Sequence, residues 1–104
     1  MIRLTILYPN TEGATFDLDY YLNTHVPLSK KLQGDAIKSF TADYGIGTGI
    51  PDQKPPYLLI ANLVYESMDA FIEAFMPHME VLQGDIPKYT NVEPVIQFSE
   101  IKLD

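Results

Sequence analysis

Two side chains, Tyr21 and His25, are the strongest candidates for acid–base chemistry in this sequence. They lie four residues apart in a segment with helical periodicity, so both leave the same face of a helix. An imidazole titrates near neutral pH and can accept or donate a proton, and a phenol can hold a substrate oxygen. The same pattern also fits a structural histidine that is hydrogen-bonded to a backbone carbonyl in the core. Spacing alone does not decide between these interpretations.

The other residues that could carry chemistry give weaker signals. His78 follows Pro77 and lies off the apolar stripe of its segment, which predicts a partly exposed side chain without a catalytic role. No H-x-x-x-H, H-x-H or H-E-x-x-H spacing favours a metal site, and no cysteine is present. The glycines of Gly45–Gly49 precede a strand rather than a helix, so the geometry of a phosphate-binding loop is missing. We therefore expect a flexible loop here and neither a metal nor a cofactor in the protein.

Helix and strand patterns indicate how the chain positions His25. Alternation over Ile2–Tyr8 predicts a first strand, and a helix is expected from about Phe16 to a C-cap at Gly34. Pro27 lies within this helix and predicts a kink or a local break. The apolar stripe of the helix comprises Leu18, Tyr21, Leu22, His25, Leu28 and Leu32.

The second part of the chain repeats this organisation. Strands are expected over Ala36–Ile46 and Tyr57–Tyr65, and a second helix begins after Ser67 and is interrupted by Pro77. A last strand is expected near Pro94–Leu103.

An internal repeat supports two related halves. The tetrapeptide LQGD occurs at Leu32–Asp35 and again, fifty residues later, at Leu82–Asp85. Each half reads strand, helix, strand, which is the order of the ferredoxin-like βαββαβ plait. We predict an α+β fold with a four-stranded antiparallel sheet, both helices on one face, and a single domain over residues 1–104.

One face of the predicted sheet has no partner within the chain. The third strand places Leu58, Ile60 and Val64 on the side opposite to Leu59 and Leu63. An apolar sheet face of this kind is typical of an interface, and a second copy related by a two-fold axis is the expected partner. The alternative is a central strand with a few tolerated surface hydrophobes.

Charge and composition exclude other classes of partner. Seven Lys and Arg residues against fourteen Asp and Glu give a formal charge of −7, and Lys30-Lys31 is the only basic pair. Nucleic acid and anionic membranes require basic clusters, so we expect binding to neither. The first residues lack the charged start and cleavage site of a signal peptide, and no apolar run is long enough to span a bilayer. A cytoplasmic location is the expectation.

The segment Phe16–Leu28 reads FDLDYYLNTHVPL and resembles the EthD-family signature F-D-x-x-Y-Y-x-x-x-H-x-P-L. Pro56-Tyr57 and the segment Tyr65–Phe71 resemble the second half of the same family. The resemblance covers essentially the whole chain and implies a dimeric α/β barrel. Proteins of that fold include cofactor-free monooxygenases for polycyclic aromatic substrates, dehydratases, cyclases, isomerases and haem-handling enzymes. His25 matches the family's histidine and Tyr21 its second aromatic residue, so the resemblance favours a functional role for both.

These observations predict a small cofactor-independent oxidoreductase, monooxygenase-like, that acts on a hydrophobic or aromatic small molecule. His25 would remove a proton from an acidic C–H or phenolic O–H, Tyr21 would position the substrate, and the anion would react with dioxygen. Asn62 is a candidate donor to a developing oxyanion, and Tyr20 and Phe75 are candidates for substrate contact. The same base without oxygen would give an isomerase, cyclase or dehydratase. A non-catalytic dimeric barrel that binds a hydrophobic ligand or assists a partner enzyme, and haem handling, are the alternatives.

Overall fold

A four-stranded antiparallel sheet forms the centre of the protein in the computed structural model, which describes residues 1–104. The strands are β1 (Ile2–Pro9), β2 (Ser39–Tyr44), β3 (Tyr57–Tyr65) and β4 (Val95–Glu100). Their order in the sheet is β2-β3-β1-β4, so the first and third strands are central. These two strands are rich in aliphatic and aromatic residues, which suit a pleated surface that is buried on one side.

Two helical regions connect the strands and cover one face of the sheet. The first comprises α1 (Leu18–Tyr20), a π-helical turn (Tyr21–His25), α2 (Val26–Gln33) and a 3-10 turn (Gly34–Ala36). The second comprises α3 (Met68–Phe75), a 3-10 turn (Met76–His78), α4 (Met79–Asp85) and a 3-10 turn (Ile86–Lys88). The ferredoxin-like plait predicted from the sequence is therefore confirmed. None of the helices is long and apolar enough to cross a membrane.

Both helical regions change geometry next to a proline. Pro27 has no N–H and its ring would clash with the carbonyl four residues earlier in a regular α-helix. The chain accommodates it with the π-helical turn, in which the Val26 N–H bonds to the Tyr21 carbonyl. Pro77 lies inside the 3-10 turn that separates α3 from α4. The local breaks expected at the two prolines are present, and the first of them forms the backbone around His25.

Polar residues of α2 turn inward, contrary to the predicted apolar stripe. Ser29 and Gln33 are buried, whereas Leu22 is 46% exposed and Leu32 is only partly buried. The π-helical turn holds an extra residue, which rotates α2 relative to an unbroken α-helix. The buried Tyr65 hydroxyl donates to Gln33, and Gln33 donates to Ser29, so each polar side-chain atom of these residues has at least one hydrogen-bond partner.

The opposite face of the sheet is not covered by any element of the chain. We call the side chains Leu7, Ile60, Val64 and Val95 the open face. Leu7 pairs directly with Ile60 on one side and with Val95 on the other, so an apolar strip crosses three strands. Leu58, which was also expected here, lies at a register shift and contacts the core instead.

Candidate active site

The side chain of His25 points towards the sheet, because the π-helical turn and α2 pack against the sheet with the face that carries it. Its ring stacks on Tyr21, with centroids 5.6 Å apart and an interplanar angle of 22°. The side chain is 12% exposed and lines a pocket between the helices and the sheet. The sequence correctly placed these two residues on one face of the helix, since that relation depends only on local periodicity.

A buried carboxylate that the sequence did not single out holds His25. Asp85, the last residue of α4, places Oδ2 2.9 Å from His25 Nδ1. Its other oxygen accepts a hydrogen bond of 2.7 Å from the Tyr20 hydroxyl, and Lys88 Nζ lies 3.7 Å from the same oxygen. In the sequence, Asp85 stands out only as the end of the repeated LQGD tetrapeptide. The matching residue of the first copy, Asp35, is exposed, so the repeat gave no signal of this role.

Tyrosine side chains complete the wall around the imidazole. The rings of Tyr89 and His25 have centroids 4.7 Å apart, and the Tyr8 and Tyr89 hydroxyls are hydrogen-bonded at 2.7 Å. Tyr89 follows the 3-10 turn after α4, and its carbonyl accepts a hydrogen bond from the Asp17 N–H. This contact ties the start of the first helical region to the end of the second. The two joined segments are the ones that carry His25 and Asp85.

Burial and hydrogen bonding set the protonation state of the pair. Burial lowers the pKa of His25 below its ordinary value of 6.5, and the hydrogen bond and charge of Asp85 oppose this only in part. Burial opposes ionisation of Asp85, but hydrogen bonds from Tyr20 and His25 outweigh it and keep the Asp85 pKa below its ordinary value. At neutral pH the carboxylate is ionised and the imidazole is neutral.

The carboxylate therefore determines which imidazole nitrogen can act as a base. An ionised Asp85 can only accept, so Nδ1 of His25 carries the proton and donates it. Nε2 then presents a lone pair, forms no hydrogen bond within the protein and is not enclosed. Burial also raises the pKa of Tyr21, so its phenol stays protonated as a hydrogen-bond donor. The arrangement unites a neutral base and a phenolic donor beside one pocket.

The pocket next to His25 has a volume of about 450 Å³ and mostly apolar walls. Such a volume is within the range of sites for small organic ligands. Phe71 and Phe75 of α3 and Ile96 and Phe98 of β4 form part of its wall, and the rings of Phe71 and Phe98 pack edge to face with centroids 4.8 Å apart. A second groove of about 500 Å³, between residues 15–17 and 87–91, is more open and polar and does not include His25.

The structure brings together most of the predicted site residues. Tyr21, His25 and Phe75 line the pocket, whereas Tyr20 lies outside it and is linked to His25 through Asp85. Asn62 does not join them. It pairs with Thr5 across β1 and β3 and accepts a 2.8 Å hydrogen bond from the Thr5 hydroxyl, on the side of the sheet away from the helices. The expectation that Asn62 contacts a substrate beside His25 is therefore corrected, because strand alternation directs its side chain to the other face.

His78 and the acidic residues do not form a second candidate site. His78 is partly buried, as expected, and does not line the pocket. No group of three or more His, Cys, Asp or Glu side chains is placed to hold a metal ion.

Comparison with known proteins places this architecture in a family. The EthD domain model matches residues 10–93. An EthD-like protein from Ralstonia eutropha is 32% identical, with a TM-score of 0.94 over 99% of this chain and 93% of that one. Comparison with curated protein sequences finds no significant match.

More distant structures share the fold. An ethyl tert-butyl ether D (EthD) family protein from Bacillus halodurans is 20% identical, with a TM-score of 0.75 over 97% of this chain and 98% of that one. A DABB family protein with a ferredoxin-like fold from Mesorhizobium loti is 10% identical, with a TM-score of 0.59 over 96% and 95%. The match to the EthD domain model and the 32% identity to the Ralstonia eutropha protein show that this chain belongs to the EthD family.

Proposed function

We propose that this protein is a small-molecule enzyme in which His25 removes a proton from a hydrophobic or aromatic substrate. The observation that carries the proposal is the orientation of the imidazole. Nδ1 is hydrogen-bonded to a buried carboxylate and Nε2 is open to an apolar pocket. A structural histidine would use both nitrogens within the core, whereas a general base needs one of them free.

Each group around the pocket has a definable part in the proton transfer. His25 Nε2 accepts the proton from an acidic C–H or phenolic O–H of the substrate. The resulting imidazolium is stabilised by the charge of Asp85, which Tyr20 holds in place. The Tyr21 hydroxyl makes no hydrogen bond within the protein, and its raised pKa keeps it available to donate to a substrate oxygen. Charge that develops on that oxygen is then stabilised by the phenol.

Reaction of the substrate anion with dioxygen gives the monooxygenase-like outcome. A methylene group activated by an aromatic system loses both hydrogens and is oxidised to a carbonyl. One oxygen atom of dioxygen enters the carbonyl and the other leaves as water with the two hydrogens. Without dioxygen the same proton abstraction would lead to isomerisation, cyclisation or dehydration.

The proposal is tested with anthrone, whose acidic methylene group makes it a suitable carbon-acid probe. We expect protein-dependent oxygen uptake, and hydrogen–deuterium exchange of the methylene group when oxygen is excluded. His25→Gln should lower both rates by about 10²- to 10⁴-fold, the usual contribution of a general base. His78→Gln is the matched control and should leave them unchanged.

The outcomes separate the alternatives. Exchange that depends on His25 without oxygen uptake would favour an isomerase, cyclase or dehydratase. Binding without either reaction would favour a non-catalytic barrel. Rates that survive in the His25→Gln variant would remove this residue from the mechanism.

A homodimer forms part of the proposed functional unit. The open face presents Leu7, Ile60 and Val64 as an apolar strip, and burying it against a second copy would remove that surface from water. Sedimentation at micromolar concentration should give a dimer, and Ile60→Asp should shift the protein towards monomer because it would bury an unpaired charge. A wild-type monomer at that concentration would refute the proposal.

A further inference from the structure

A second group of polar side chains lines the far part of the pocket. Ser29, Gln33 and Tyr65, which we call the distal cluster, are 6%, 7% and 0% exposed. Gln33 Nε2 lies 3.0 Å from Ser29 Oγ, and the Tyr65 hydroxyl lies 2.6 Å from Gln33 Oε1. Neither the proton abstraction nor the sequence pattern accounts for these groups.

Helical spacing places this cluster in line with the base. His25, Ser29 and Gln33 follow one another at intervals of four, so they lie on one face of the helix. With a rise of 1.5 Å per residue, Ser29 and Gln33 are about 6 and 12 Å along the helix from His25. All three line the same pocket. A ligand lying along α2 therefore meets a base at one end and the distal cluster at the other.

The distal cluster has more hydrogen-bond donors than its own hydrogen bonds use. Its two hydroxyls and one amide carry four polar hydrogens in total. The two hydrogen bonds inside the cluster use two of them, whichever way the amide group is turned. No other hydrogen bond joins these side chains to the rest of the protein, so two donors remain within a mainly apolar pocket. A buried donor without an acceptor is costly, and a ligand oxygen would remove that cost.

The charge of the surroundings limits what this oxygen can be. No lysine or arginine lines the pocket, and Glu93 lines it near β4. The ionised Asp85 stands behind His25. A carboxylate or phosphate would be buried there without a counter-charge, which is unfavourable. An uncharged acceptor such as a carbonyl oxygen fits the available donors.

We infer that the distal cluster is a specificity subsite that binds a neutral carbonyl oxygen of the substrate. This oxygen would lie one to two helical turns from the C–H or O–H group from which His25 removes a proton. The inference rests on the proposed function for the position of the reacting end. It defines the substrate class as an uncharged, mainly apolar molecule with an acidic hydrogen at one end and a carbonyl towards the other. Ser29 and Gln33 supply or orient the donors, and Tyr65 holds the Gln33 amide in place.

Fluorenone and fluorene test the subsite, because they share a ring system and differ in the carbonyl group. The wild-type protein should bind fluorenone about tenfold more tightly than fluorene or better, as expected for hydrogen bonds from buried donors. The preference should disappear in the Ser29→Ala/Gln33→Met double variant and persist in His25→Gln. The last result separates this inference from the proposed reaction, since loss of turnover would not affect the carbonyl preference.

An infrared measurement on the wild-type protein avoids dependence on how the variants fold. The carbonyl stretch of bound fluorenone should move to lower wavenumber than in an apolar solvent, as a hydrogen-bonded carbonyl does. Failure of the protein to bind either probe, equal affinities for the two, an unshifted carbonyl band, or a preference that survives in the folded double variant would each overturn the inference.

Discussion

Replacing Asp85 by Asn is the most direct perturbation of the proposed site. The side chain keeps its shape but loses its charge and gains a donor. The Asp85 oxygen lies 2.9 Å from His25 Nδ1, and the two side chains are only 7% and 12% exposed, so solvent screens their interaction weakly. A hydrogen bond to a charged group is worth about 1.5–3 kcal/mol. Because about 1.4 kcal/mol corresponds to a factor of ten, losing it from the imidazolium state lowers kcat/KM by about 10- to 150-fold.

The protonation state of His25 provides a readout that needs no substrate. In the wild-type protein, NMR of the imidazole nitrogens should show the proton on Nδ1 and a pKa below 6.5, because burial outweighs the influence of Asp85. Asp85 acts to raise this pKa, so Asp85→Asn should lower it further. The new amide can also donate to Nδ1, which increases the population of the tautomer that carries its proton on Nε2. His78→Gln assigns the signals, since the chain has only two histidines.

The repeat supplies a matched control for this experiment. Asp35 ends the first LQGD tetrapeptide as Asp85 ends the second, but it is exposed. Asp35→Asn makes the same chemical change and should affect neither kcat/KM nor the titration of His25. A folded Asp85→Asn variant that retains the wild-type kcat/KM and the wild-type imidazole titration would refute the role proposed for Asp85. An equal change in Asp35→Asn would refute it as well.

Two further predictions concern stability. In the unfolded chain His25 takes up a proton near pH 6.5, whereas in the folded protein its pKa is lower. The free energy of unfolding should therefore decrease as the pH falls below 6.5. Asp85 further lowers the free energy of unfolding as the pH falls below 3.8, because its folded pKa is also lowered. Urea denaturation of the wild type and of His25→Asn across this pH range measures both effects. The decrease below pH 6.5 should be missing from the variant. Tyr65→Phe leaves the Gln33 carbonyl oxygen without its hydroxyl donor and should lower the free energy of unfolding by about 1–3 kcal/mol. The exposed Tyr44→Phe is the control in thermal denaturation, and equal stability of the two variants would contradict the assigned role of the Tyr65 hydroxyl.

Some features of the site could be predicted because they depend on neighbouring residues. The four-residue spacing of Tyr21 and His25 put both side chains on one helix face, and the structure shows their rings stacked. Pro27 indicated a break in the helix, which occurs as a π-helical turn. The residue patterns of β1 and β3 indicated strands, and alternate residues of β3 such as Leu59 and Leu63 are buried. In each case the physical cause acts within a few residues of the chain.

Other features could not be predicted because the partners are far apart in sequence. Asp85 lies sixty residues from His25, and their contact requires both helical regions to be in place on the sheet. The same tetrapeptide that contains Asp85 ends in an exposed aspartate in its first copy, so residue type and local context were uninformative. The position of Asn62 on the face away from His25 could not be predicted for a related reason. The face of a strand that meets the helices is set by tertiary contacts.

The sequence by itself determined the order of the elements, the ferredoxin-like plait and the helix face that carries His25. These follow from hydrophobic periodicity, proline positions and a local signature. Tertiary structure decided which carboxylate holds the imidazole, which nitrogen is left free and which polar residues of α2 enter the pocket. Those choices depend on burial and hydrogen bonding between distant segments, because a buried polar group is stable only where the fold supplies its partner.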